Sequence, residues 1–172
     1  MLVFLDTEFT DFLDIRLISV GLAAEDGRTC YGELAPAYWL EAANAYVRAN
    51  VVPLLDQSRQ GCESERPEAL AEKLRAWLAV LGEVQLATDS PGHDFDLLVE
   101  LFAETGTAWP GNVAKMPLRV DCYLRGEDGA HLAMGTYQDF FTENGLAQHH
   151  ALNDALALRA MWLKWRNGKE GS

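Results

Sequence analysis

Basic residues are scarce in this chain. Lysine and arginine number 14 against 26 aspartates and glutamates, giving a net charge of −12 over 172 residues. A protein that coats long nucleic acid needs a basic footprint, so that class is set aside. An enzyme that grips a short strand end through bound cations is not, because a group of carboxylates is what hard divalent cations require. Excess acid also simply solvates a surface, so charge alone leaves these two readings level. Cysteine is scarce too: Cys30, Cys62 and Cys122 are odd in number, far apart and without C-x-x-C spacing. This points away from a zinc site and toward reduced thiols in a cytoplasmic protein. Long apolar runs are missing. None approaches the ~18 residues of a membrane span, and the short run Leu2 to Leu5 meets Asp6 at once, unlike a signal peptide. No internal repeat or low-complexity linker divides the chain, and its length suits one domain over residues 1–172.

What is present is a clear change of periodicity along the chain. Leu2–Phe9 reads as a buried strand and Arg16–Ala24 as a second, with Asp26-Gly27 a hairpin signal before a third at Thr29–Leu34. This opening is an antiparallel meander. Tyr38–Ala49 is helical by composition, and Val51–Ser58 reads as a short helix around Pro53. Pro67–Leu81 is a clearer helix, with Leu70, Leu74, Trp77, Leu78 and Leu81 at helical spacing. A strand at Glu83–Thr88, a helix at Phe95–Glu104 and a strand at Leu118–Tyr123 follow. Tyr137–Asn144 reads as a helix closed by Gly145, and His150–Arg166 as a long amphipathic helix. Antiparallel strands followed by alternating helices and strands predict an α/β fold, a mixed sheet with helices on its faces.

Three places on this scaffold carry chemistry. In Asp6-Thr7-Glu8, at the end of the first strand, positions i and i+2 share a face, so two carboxylates point the same way. Side by side in an apolar strand they repel and are costly to desolvate unless cations sit between them; a strand end open to water is the plainer reading. The second place is His149-His150-Ala151-Leu152-Asn153-Asp154, opening the last helix. Asp154 falls on the stripe of Leu158 and Trp162, where an acid needs a partner. The third is Thr88 to Asp96, where a strand turns into a helix. Asp94 is there a candidate ligand or an ordinary first-turn acid, with Asp89 or Ser90 as helix cap and Asp96 as a competing ligand.

Together these motifs resemble the DEDDh exonucleases, the DnaQ-like group that includes the proofreading exonuclease of DNA polymerase, ribonuclease T and oligoribonuclease. Asp6-Thr7-Glu8 is similar to their first motif, Asp94 with Leu97 to their second, and His149 with Ala151-Leu152 and Asp154 to their third. The strand pattern agrees over nearly the whole chain, and the small bacterial 3′–5′ exoribonucleases are most alike. There are departures: Phe9 and Thr10 follow Glu8, and Asp89 stands where many relatives carry Asn.

The resemblance implies a ribonuclease H-like mixed sheet and a metal-dependent 3′–5′ exonuclease acting on single-stranded nucleic acid, RNA before DNA, with nucleoside 5′-monophosphates as products. Asp6, Glu8, Asp94 and Asp154 are the implied ligands of two Mg²⁺ or Mn²⁺ ions. His149 is the implied general base. Helix geometry alone favours His150, four residues before Asp154. A loop from Gly145 through Gln148 instead delivers His149 just ahead of the helix. Thr7 and Phe9 are candidate substrate contacts, Phe9 by stacking on a base. A homodimer is within what the family uses, and no membrane partner is implied. The competing functions are an inactive nucleic-acid or protein binding module, and a metal-dependent nucleotide phosphatase.

Overall fold

The structure is a computed structural model that describes residues 1–56, 64–120 and 129–170, with the backbone alone for 129–136 and 169–170. Its centre is a five-stranded sheet in the order β3-β2-β1-β4-β5. The strands are β1 (Leu2–Phe9), β2 (Leu17–Ala24), β3 (Thr29–Glu33), β4 (Gln85–Thr88) and β5 (Leu118–Arg119). β1, β2 and β3 pair antiparallel, whereas β4 joins β1, and β5 joins β4, in parallel. Antiparallel strands are closed by short turns, and the Asp26-Gly27 turn carries Gly27 at φ 96. Parallel neighbours need long crossovers, and helices provide them here. The mixed sheet anticipated from the periodicity is therefore observed.

Among the described residues five α-helices flank it: α1 (Ala45–Asn50), α2 (Pro67–Ala79), α3 (Asp94–Glu104), α4 (Gly129–Asn144) and α5 (Ala151–Glu170). Alternation along β1 sends Val3 and Leu5 into a cluster with Leu70, Leu74 and Leu78 of α2 and Leu98 of α3. Phe4 faces the other way, with Ala155, Leu158 and Trp162 of α5. β2 is buried along its whole length, as a strand covered on both faces must be. α5 lies unusually close to it. A Cβ on Gly21 would meet the Ala151 backbone at 2.2 Å, so only glycine fits at that crossing. Gly21 is the β2 partner of Asp6, so the start of α5 is pinned directly beside the first acid. Arg159 fixes the register further along, its Nε donating to Ala24 O at 2.9 Å and its Nη2 to Glu25 O at 3.0 Å.

Several expectations change. Tyr38–Ala49 is not one helix but a 3₁₀ turn at Pro36–Tyr38, irregular chain, and α1. The buried Trp39 donates its indole N–H to Leu34 O at 2.8 Å, and Asn44 N–H donates to Thr10 O at 3.3 Å. Those contacts bend the chain away from a helix that its composition would otherwise support. Val52–Leu54 is a 3₁₀ turn that ends at an extended Leu55, and residues 57–58 of the short helix expected to Ser58 lie outside the described residues. α4 begins at Gly129 rather than Tyr137, running through Gly135 despite the ~1 kcal/mol that glycine costs a helix. β5 is shorter than expected. Val120 N–H still donates to Thr88 O at 2.9 Å, and residues 121–123 of that expectation are outside the described residues. Cys30 is a buried free thiol; Cys62 and Cys122 are also outside. No helix among the described residues is long and apolar enough to cross a membrane.

Candidate active site and metal centre

The carboxylates named from sequence converge at the ends of β1 and β4. Asp6 and Glu8 project from one side of β1 toward α5, as the two-residue alternation requires. The pairing of β1 with β2 shifts register between Glu8 and Phe9, where Ile18 of β2 is left over, so the ladder turns irregular just after the second acid. Asp154 reaches them from the first turn of α5, over Gly21. Ligand oxygens of Asp6, Glu8 and Asp154 lie within 4.8 Å of one another. Asp94 arrives from the first residue of α3, and with Asp6 and Asp89 it forms a second group on the same distance criterion. The two groups share Asp6. Asp96 is exposed and belongs to neither, while Asp94 is 3% exposed.

The acids are held by specific donors. Thr7 N–H and Thr7 Oγ1 both donate to Asp94 Oδ1, at 3.2 and 2.8 Å, and Thr88 Oγ1 donates to Oδ2. Thr7 is thus buried and committed to Asp94. Both of its donors are used inside the fold. Asp154 accepts from Tyr137 Oη on α4 and from His150 N–H at 3.0 Å. Neither Asp89 nor Ser90 caps α3: the residue before it is His93, without a side-chain cap, and Ser90 O instead accepts from His93 and Asp94 N–H.

Burial, then the charges of Asp94, Asp154, Glu8 and Asp89, holds the Asp6 carboxyl well above the usual carboxylate range. Burial, followed by Asp154 and Asp94, pushes Glu8 up to about 8. Burial lifts Asp94 to about 7 against the pull of the Thr88 and Thr7 hydrogen bonds. It also raises Asp154 against the Tyr137 bond. Carboxylates brought together out of water resist ionisation, through lost hydration and mutual repulsion. The donors are all oxygen, with no sulfur. Such a set fits hard divalent cations such as Mg²⁺ or Mn²⁺.

The two histidines separate sharply. His150 is buried, 7% exposed, immediately before α5. Tyr31 stacks on it at 4.4 Å. It also joins Glu33 and Asp56 in a third group, in which the Tyr31 hydroxyl and the Asp56 N–H both donate to Glu33 Oε1. That assembly braces the start of α5 and so the Asp154 backbone. His149 stands in the loop with φ 65, a left-handed conformation that non-glycine residues rarely take. Its Nε2 is 2.8 Å from Tyr46 Oη. Glu8, Phe9, Phe12, Tyr46 and His149 line a cavity of about 530 Å³, within the range of small-ligand sites. Phe9 stacks on His93 at 5.3 Å and meets Phe12 edge-on, and Phe12 is 71% exposed.

Two nuclease structures share this architecture. An E. coli exonuclease I structure, described as the zinc-bound form of a complex with single-stranded DNA, superposes with a TM-score of 0.61 at 16% identity. It is matched over 99% of this chain and 41% of its own. The nuclease domain of 3′hExo, a DEDDh family member bound to rAMP, gives a TM-score of 0.61 at 14% identity, over 99% of this chain and 92% of its own. This is the DEDDh nuclease fold. The chain spans about two fifths of the exonuclease I structures it matches. No protein-family model and no curated protein matches it.

In this DEDDh-fold chain, the residues that sequence reasoning missed are those acting through others. Gly21 had a signal, since an isolated glycine inside an apolar strand marks a close backbone approach. Asp89 was visible as a candidate helix cap and as a departure from the family pattern, not as a possible ligand. Thr88, Tyr137 and Tyr46 carry no local signal, because their roles depend on which acid or imidazole the fold brings beside them.

Proposed function

We propose that this chain is a metal-dependent 3′–5′ exonuclease that hydrolyses single-stranded RNA in preference to DNA, releasing nucleoside 5′-monophosphates. The observation that carries this reading is the pair of acid groups sharing Asp6, set on a DEDDh nuclease fold beside a half-buried histidine on a loop. Glu8 and Asp154 complete one group with Asp6; Asp94 and Asp89 complete the other. Two Mg²⁺ or Mn²⁺ ions held there would neutralise the scissile phosphate, activate a water and stabilise the leaving 3′ oxygen.

The chain's own residues do the rest. Asp6 belongs to both groups, so its carboxylate would help to hold either cation at the end of β1. Thr7 and Thr88 fix the rotamer of Asp94 through both of its oxygens. Tyr137 and the His150 N–H do the same for Asp154. His149 takes the proton from the attacking water, as a neutral imidazole nitrogen can. Phe9 and the exposed Phe12 offer aromatic surface to the terminal bases, since every base has an apolar face. An acidic chain has little with which to hold a long phosphate backbone, so recognition centres on the strand end. The preference for RNA is supported by the resemblance to small exoribonucleases and by the rAMP bound in the 3′hExo domain.

The test is digestion of 5′-labelled and 3′-labelled RNA and DNA oligomers with Mg²⁺ or Mn²⁺, and with EDTA. A ladder shortening from the 3′ end, abolished by EDTA and faster on RNA, is expected. Release of inorganic phosphate from mononucleotides without strand shortening would instead mark a phosphatase. Strand binding without cleavage would mark a binding module.

A further inference from the structure

We propose that Tyr46 is the positioning residue for His149, fixing the imidazole through Nε2 so that Nδ1 is the nitrogen that takes the proton. The inference rests on the nuclease reading above. His149 lies on a loop, half-buried, where rotation about its side-chain bonds would otherwise be loosely restrained. Tyr46 Oη lies 2.8 Å from its Nε2, and the two rings meet edge-on at 5.6 Å and 84°. Burial does not explain where Tyr46 sits, because it is 55% exposed. The contact is instead built from below. α1 has only six residues, too few to hold its shape unaided. Asn44 anchors it by three hydrogen bonds: Oδ1 accepts from Val47 N–H at 2.9 Å, Nδ2 donates to Asp11 Oδ2 at 2.8 Å, and its own N–H donates to Thr10 O. Thr10 and Asp11 directly follow the β1 segment that carries Asp6 and Glu8. A line of hydrogen bonds therefore runs from the strand of the acids, through Asn44 and α1, to Tyr46 and the imidazole on the far side of the cavity. The left-handed φ of His149 has a reason in this arrangement, since it turns the side chain toward Tyr46. A hydroxyl accepts from Nε2–H whether or not Nδ1 is protonated, so the ring stays fixed as the proton arrives from water and leaves again.

The test compares the wild type, Tyr46→Phe, His149→Ala and the double variant on a single-stranded oligomer. Wild-type digestion of that oligomer checks the nuclease reading independently. Loss of the hydroxyl alone should lower kcat by about tenfold, the scale of one lost hydrogen bond acting on the barrier, with KM within about twofold. Thermal unfolding should not move, because the side chain is exposed. In the His149→Ala background, Tyr46→Phe should cause no further loss. Unchanged or increased kcat in Tyr46→Phe, an effect on KM alone, or equal losses in both backgrounds would each overturn the proposal. An active wild type with any of those results would leave the nuclease reading standing. An inactive wild type would end both.

Discussion

Asp154 stands where one residue would serve a metal, a helix start and neighbouring side chains at once. Asp154→Asn keeps an oxygen for Tyr137 or the His150 N–H while removing a charge from a buried acidic group. Nearly all turnover should be lost, yet the metal-free variant should melt no lower than the parent, because like-charge repulsion is relieved. A large fall in melting temperature with activity retained would make Asp154 structural. The two histidines should part in the same way. His149→Ala should cut turnover by roughly a hundredfold or more, the usual scale for a lost general base. His150→Ala should mainly lower the melting temperature, because it removes a buried ring stacked on Tyr31. Side-by-side assays of both folded variants check the order. Phe12→Ala should raise KM about tenfold with kcat little changed, since stacking on one base is worth ~1–3 kcal/mol. The acids were legible in sequence because charge on an apolar strand or stripe demands a reason. Tyr46 and Tyr137 were not, since a tyrosine is at home on any helix and only tertiary contact gives these two a role.

At the scale of elements, the β2–α5 crossing is what brings the site together. Gly21→Ala would drive a methyl group into the Ala151 backbone, which cannot move aside as a flexible side chain could. A loss of ~3 kcal/mol or more is expected from such overpacking. Activity should fall with it, because the start of α5 carries Asp154. Thermal unfolding and turnover measured below the new midpoint check both parts. Ala at this position with parental stability would mean that α5 sits farther from β2. The strands were legible from two-residue alternation and short apolar runs, and α2 and α5 from their apolar stripes. The segment from Tyr38 to Ala49 was misread because its alanines favour a helix, while the burial of Trp39 and the Asn44 cap decide where the helix starts.

For the whole molecule, the decisive feature is an acidic site in an acidic chain. Glu8 has its pKa raised from 4.5 to about 8 by burial and by its neighbouring acids. Asp94 rises from 3.8 to about 7. The metal-free folded state therefore holds protons that the unfolded chain has already released, and stability falls as pH rises through this window. Stability should be greatest near pH 4 to 5 and decline toward pH 8 by an amount on the order of a few kcal/mol. Mg²⁺ should reverse the loss at pH 8, since cations bind the ionised, folded site. Melting curves across pH with EDTA and with Mg²⁺ check the sign; a metal-free protein that gains stability toward pH 8 would contradict it. The most direct test of the shared-acid centre is the number of Mn²⁺ ions bound per chain at neutral pH, titrated with a nucleoside 5′-monophosphate present, for wild type and Asp6→Asn. Two ions for the wild type, and loss of both high-affinity ions in Asp6→Asn, are expected from a carboxylate common to both groups. Unchanged Mn²⁺ binding by Asp6→Asn would contradict it.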